Sequence, residues 1–126
     1  MIRAEEHSRV AVLGASPKEE RYSFKAVKML KEYQHVPVPV HPAGHEVDGI
    51  KALKSLNDIT EPVDTLTVYV GARISDGELE NILQLNPRRV IFNPGAENGH
   101  LAEKLRKAGI EVIEACTLVM LRTEQF

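Results

Sequence analysis

Four short stretches of this chain combine small residues and positive charge in a way that suits an anionic ligand. Gly14, Ala15 and Ser16 follow the apolar run RVAVL, with Pro17, Lys18 and Arg21 just beyond. His41 and Pro42 close the run VPVPV. Gly71 and Ala72 come directly after TLTVYV, and Asn93, Pro94 and Gly95 directly after VIF. Small side chains let a ligand approach the backbone, and amide donors at a helix start attract phosphates. None of the four stretches places a carboxylate in its first three positions. Each also has an ordinary reading. A single glycine behind a strand often only turns a corner. Lys18 and Arg21 stand among Glu19 and Glu20, as residues of a solvated surface do. A histidine at a strand end commonly serves loop hydrogen bonding. Joint placement on one rim of a sheet turns the four weak signals into a candidate site.

That rim depends on the elements beneath it. Residues 10–13 form a short apolar run suited to a strand buried on both faces. From Ser23, the predicted N-cap, Ala26, Val27, Leu30 and Tyr33 fall at helical spacing. Residues 36–40 read as a second strand, in which Pro37 and Pro39 remove two ladder donors on the same side. One edge of that strand must therefore pair poorly, or the strand must be very short. The connection 41–62 carries apolar residues at intervals of three, with a short helical turn expected near Ser55. Residues 65–70 are rich in β-branched and aromatic side chains and read as the third strand.

Ser75 and Glu78 spell a capping box for the next helix, which Asn86 and Pro87 end. Residues 90–92 and 110–113 are the fourth and fifth strands. The helix between them starts near Asn98, gathers Lys104 and Lys107 at its cationic end and stops at Gly109. Strands alternating with helices predict an α/β fold: one Rossmann-like, doubly wound domain over residues 1–126. Its five-stranded parallel sheet is expected in the order 3-2-1-4-5, with helices on both faces. The crevice at the reversal of order is then bounded by the loops after the first and fourth strands. Leu118, Val119, Met120 and Leu121 form an apolar tail that either caps the sheet or meets another subunit, as in a homodimer.

Composition narrows the partners. Lys and Arg number 16 against 18 Asp and Glu, a net charge of −2, and no basic run exceeds two residues. A nucleic-acid binder normally carries a basic stripe, so nucleic acid is not an expected partner. Cys116 is the only cysteine, which excludes an internal disulfide and a thiolate-rich metal site. No apolar stretch approaches the ~20 residues of a membrane span, and residues 1–8 are too polar for a signal peptide. The expectation is a soluble protein of a reducing cytoplasm, with no membrane partner.

A nicotinamide dinucleotide is the first ligand to test. Its fingerprint is G-x-G-x-x-G, with an acid roughly twenty residues on for the ribose hydroxyls. Here Gly14 is followed by alanine, serine, proline and lysine, and the second strand ends in Val40, His41 and Pro42 where the acid belongs. A ribose that carries its own phosphate avoids a carboxylate there, which leaves NADP or coenzyme A.

The stretches VAVLGASPKEER, PVPVHPAG and HEVDGIKALKSLNDITEPVD, with Glu114, Ala115 and Cys116 near the end, make the chain recognisable. It resembles the stand-alone CoA-binding domain family, which is similar to the N-terminal domain of the succinyl-CoA synthetase alpha subunit. The resemblance implies a Rossmann-like fold and coenzyme A as ligand. Carried over by position, Ser16, Pro17 and Lys18 meet the phosphates, and Arg21 extends that basic edge. His41 and Pro42 border the ribose phosphate, and Val70, Gly71 and Ala72 line the adenine slot. Asn93, Pro94 and Gly95 face the pantetheine side. Gly44 stands where the synthetase domain has a lysine, and His41 replaces an asparagine common in the family.

Five histidines are present, yet no Ser-His-Asp arrangement, paired carboxylates or metal-ligand spacing accompanies them. The expectation is therefore a non-catalytic CoA or acyl-CoA binding module: a carrier, a sensor or a subunit. An NADP-type or other nucleotide-binding oxidoreductase is the alternative, followed by a structural or regulatory subunit that has lost its ligand.

Overall fold

Short apolar runs can be buried on both faces only when helices cover both sides of a parallel sheet, and the chain folds that way. A computed structural model of the chain describes residues 8–126; His7 and all but Ser8 of the polar start weighed against a signal peptide lie outside the described residues. In chain order the elements are β1 (Arg9–Leu13), α1 (Tyr22–Glu32), β2 (Val36–Val40), β3 (Glu46–Val47), β4 (Ile50–Lys51), β5 (Thr65–Val68), α2 (Ala72–Ser75), α3 (Leu79–Leu85), β6 (Arg89–Phe92), α4 (Gly99–Lys107), β7 (Glu111–Glu114) and α5 (Thr117–Arg122). The expected turn after Ser55 is a 3-10 segment, Leu56–Asp58, capped by the Ser55 hydroxyl on the Asn57 amide at 3.1 Å.

Strands β2, β1, β5, β6 and β7 form one parallel sheet in that spatial order, while β3 and β4 make a small separate hairpin. The five-stranded parallel α/β architecture is as expected, but the expected order 3-2-1-4-5 is corrected. Counted over the main strands it is 2-1-3-4-5: the third strand lies against the free side of β1, not outside β2. The two prolines supply the reason. The Val36 amide donates toward β1, to the Ser8 carbonyl at 2.9 Å. The alternate residues Pro37 and Pro39 therefore turn nitrogens without hydrogens to the outer edge. An interior ladder cannot form there. Leu53 meets that edge instead, donating to the Pro39 carbonyl at 2.9 Å and accepting from the His41 amide at 2.8 Å.

Alternation along the strands divides the core in two. Ala11, Leu13, Leu66, Val68, Val90 and Phe92 face α3 and α4, against Ile82, Leu101 and Leu105. Val10 and Val12 face the other way, against Val27 and Leu30 of α1 and Leu121 of α5. The apolar tail is the helix α5. Leu118, Met120 and Leu121 are buried within the chain, while Val119 stays 47% exposed. Of the two fates expected for the tail, covering the chain's own sheet takes most of its apolar surface.

Helix ends follow the sequence with two exceptions. The Asn98 side chain caps α4 by accepting from the Leu101 amide at 3.0 Å. Gly109, at φ +88°, closes α4 as expected, with the Ile110 amide reaching back to the Leu105 carbonyl at 3.0 Å. Asn86 ends α3 in the left-handed region at φ +52°. The capping box is corrected: the helical turn already begins behind Gly71, so Ser75 is buried inside it and accepts from Asn98 Nδ2 at 2.8 Å. Ser23 also sits inside α1 and not before it; its hydroxyl accepts from the Ser16 amide at 3.0 Å.

Candidate functional site

With β5 beside β1, the order reverses between these two strands. The crevice is thus bounded by the loops after β1 and β5, which corrects the expected pair of first and fourth loops. Gly14 makes this junction. It adopts φ +88°, a region that side chains rarely enter, and a Cβ there would lie 2.6 Å from Val70 Cγ1 and 3.4 Å from the Tyr69 carbonyl carbon. Its amide donates to the Val40 carbonyl at 2.9 Å. Three strand ends are thereby drawn together at one glycine.

Tyr69 and Val70 follow the end of β5 directly, and they line different cavities. A cavity opens on each side of this crest. The first, of about 460 Å3, is lined by Gly14, His41, Pro42, Lys54, Val70 and Ile74. The second, of about 360 Å3, is lined by Tyr22, Tyr69, Pro94, Cys116, Val119 and Arg122, with Asn93 at its floor. A more open hollow of about 590 Å3 lies at the amino ends of the strands, where Asp64 pairs with Arg88 at 2.9 Å.

The sequence-derived residues divide accordingly. Gly14, His41, Pro42 and Val70 meet in the first cavity, and Asn93 and Pro94 in the second. Ala15 is buried, and its carbonyl accepts from His45 Nε2 at 3.1 Å, a contact that requires the proton on that nitrogen. Ser16, Pro17, Lys18 and Arg21 form the loop between β1 and α1; the Lys18 amide donates to the Ser16 hydroxyl at 3.1 Å. Pro17, Lys18 and Arg21 are exposed there, at the start of a helix with no side-chain cap and no acid in its first turn. Gly71 and Ala72 are exposed at the start of α2, and Gly95 turns outward at φ +89°.

Asn93 is fully committed within the protein. Its Nδ2 donates to the Thr67 hydroxyl at 2.6 Å and the Val68 carbonyl at 2.9 Å, and its Oδ1 accepts from the Thr117 amide at 2.8 Å. It shapes the floor of the second cavity and has no donor left for a ligand. His41 differs. Its Nδ1 accepts from the Ala43 amide at 3.0 Å, which puts the proton of the neutral ring on Nε2. Burial, and then the charge of His45 with its ring centroid 4.4 Å away, hold His41 below the usual histidine range.

Several residues of the site lie outside the four stretches first singled out. Lys54 reaches the first cavity by lying across Gly44, where a Cβ would come within 2.9 Å of its Cε. Glu78 also lines that cavity, brought from the helical turn beyond α2, so the rim is not free of carboxylates. Tyr69 adjoins Val70 in sequence but lines the other cavity. The places of Lys54, Glu78 and Tyr22 depend on how distant segments fold back.

Comparison with known proteins finds a family described as CoA binding domain matching residues 8–122. An uncharacterized protein of Bacillus subtilis, YneT, is 29% identical over 105 residues, 83% of this chain and 78% of the relative. The alpha subunit of an ADP-forming acetate–CoA ligase of Pyrococcus furiosus is 40% identical over 62 residues, 48% of this chain but 14% of that protein. Among solved structures, an uncharacterized protein superposes with TM-score 0.91 at 40% identity, covering 95% of this chain and 98% of that one. A Thermus thermophilus protein superposes with TM-score 0.87 at 30% identity, covering 97% and 92%.

Proposed function

The chain belongs to the family of CoA binding domains, and from that premise we propose that it is a non-catalytic module that binds CoA or acyl-CoA, as a carrier, sensor or subunit. The observation that carries this reading is the pair of cavities flanking one crest. One holds His41 and Lys54, and the other is largely apolar. CoA has matching halves: an anionic, phosphorylated nucleotide and a long uncharged arm that ends in a thiol.

The residues present fit that group. His41 Nε2–H is free of the Ala43 contact and can donate to a phosphate oxygen, and the Lys54 ammonium supplies a cation in the same cavity. In the related synthetase domain a lysine stands where this chain has Gly44. Here the side chain of Lys54 passes over that glycine, so the positive charge returns from a different loop. Lys18 and Arg21 flank the uncapped start of α1, where unpaired amides favour an anion. Val70 and Ile74 offer apolar surface to the adenine ring.

Thermal unfolding tests the reading. A ligand that binds only the folded chain stabilises it by about 2.7 kcal/mol at a hundred times its Kd. Saturating CoA is expected to raise Tm by several degrees, while NADPH, NAD and ATP leave it in place. No shift at millimolar CoA defeats the proposal, and a shift with NADPH alone transfers the site to the oxidoreductase reading.

A further inference from the structure

We propose that the cavity of about 460 Å3 reads the base of its ligand through Glu78 and Ser55, so that it admits a 6-aminopurine and turns away a 6-oxopurine. The inference rests on the CoA reading and adds the choice of nucleobase.

It begins with a carboxylate in an unexpected place. Among the residues lining the two cavities Glu78 is the only acid, in a site that is to receive a ligand rich in phosphate. It does not serve to neutralise Lys54, since no ion pair among the described residues joins the two. Set against a phosphate, the Glu78 charge is a cost; set against a donor of the ligand, it is a gain.

The hydrogen bonds show what is left to offer. Glu78 Oε1 accepts from Asn81 Nδ2 at 3.1 Å, while Oε2 accepts from no described residue. Ser55 supplies the complement. Its Oγ accepts from the Asn57 amide at 3.1 Å, which leaves the hydroxyl proton free to donate. The fold brings the two together from distant segments. Ser55 stands immediately before the 3-10 turn Leu56–Asp58, and Glu78 immediately before α3. That turn packs against α3, with Leu56 and Ile82 in one apolar cluster.

The same cavity carries the apolar surface of Leu56, Val70 and Ile74. Apolar surface with one acceptor and one donor beside it suits a purine that offers the opposite pair. Adenine does so, with a 6-amino group that donates and a ring nitrogen, N1, that accepts. Hypoxanthine and guanine reverse both: an oxygen at position 6 would face the carboxylate, and a protonated N1 would face the hydroxyl proton. A buried mismatch of that kind discriminates more strongly than any difference in size. His41 Nε2–H and the Lys54 ammonium belong to the segment that follows β2 and stay available to phosphate.

Isothermal titration of the full chain with CoA and with deamino-CoA, its hypoxanthine counterpart, tests the assignment. CoA is expected to bind at least about tenfold more tightly, the worth of a hydrogen bond to a charged group. In Glu78→Gln, whose amide offers a donor as well as an acceptor, that ratio is expected to fall toward one. Glu78→Ala is expected to lower CoA affinity to that of deamino-CoA. A residue that only braced Asn81 would shift both ligands together, so the ratio is the deciding readout. A ratio unchanged in both variants overturns the role of Glu78. Equal binding of the two ligands by the unaltered protein overturns the base reading and leaves the CoA reading standing. Failure of both ligands to bind overturns both.

Discussion

Gly14 and His41 carry different burdens at the same rim. Gly14 is required by geometry: both its φ of +88° and the 2.6 Å approach to Val70 forbid a side chain. Gly14→Ala is expected to destabilise the fold by about 1–2 kcal/mol from backbone strain alone, and more if Val70 cannot retreat. Urea denaturation reads the loss, and the CoA-induced rise in Tm should shrink with it. His41 is held below its ordinary pKa, so the folded chain without ligand loses part of its stability as pH falls below about 6.5. A phosphate beside the ring has the opposite effect, favouring the imidazolium. Binding should then take up a proton, and CoA affinity should rise as pH drops from 8 to 6. His41→Asn is expected to flatten that dependence in titrations across the range.

At the level of elements, two features decide what the rim looks like. Prolines on the outer side of β2 keep the third strand from pairing there, which sends β5 to the other side of β1 and moves the switch point. The apolar tail, folded as α5, closes the face that α1 leaves open, and Cys116, just before its start, borders the second cavity. Leu121 is 1% exposed and packs with Val10, Val27 and Leu30. Leu121→Ala is expected to cost about 2–5 kcal/mol in chemical denaturation. Were α5 chiefly an intersubunit element, the variant would change oligomeric state at little cost to monomer stability. Sedimentation of the same variant separates the two outcomes.

Across the whole molecule, a net charge of −2 gives no general attraction for an anion. Recognition must come from cations placed locally. Lys18, Arg21 and Lys54 are exposed, so their contribution is screened by salt, whereas His41 is half-buried at the cavity. Replacing both Lys18 and Arg21 by alanine is expected to weaken CoA binding on the order of tenfold and to make the remaining affinity less dependent on ionic strength. Titrations in low and high salt measure both effects. Unchanged affinity would move the phosphates away from the first loop.

Local chemistry made much of this chain legible before its fold was known. Apolar runs of four or five residues, helical spacing, Asn98 as a cap and Gly109 as a stop are short-range effects, written wherever neighbours along the chain decide the energy. The glycine behind the first strand and the absence of acids from the first three positions of the four loops are of the same kind. The sequence also held the prolines that rule out a third strand beside β2, but their weight appeared only once the direction of the Val36 amide was known. Tertiary structure alone decided the rest: the strand order, the burial of Ser75, the commitment of Asn93 to Thr67 and Thr117, and the arrival of Lys54, Glu78 and Tyr22 at the cavities. Those outcomes depend on contacts between segments far apart in sequence, where no spacing rule carries from one residue to the other.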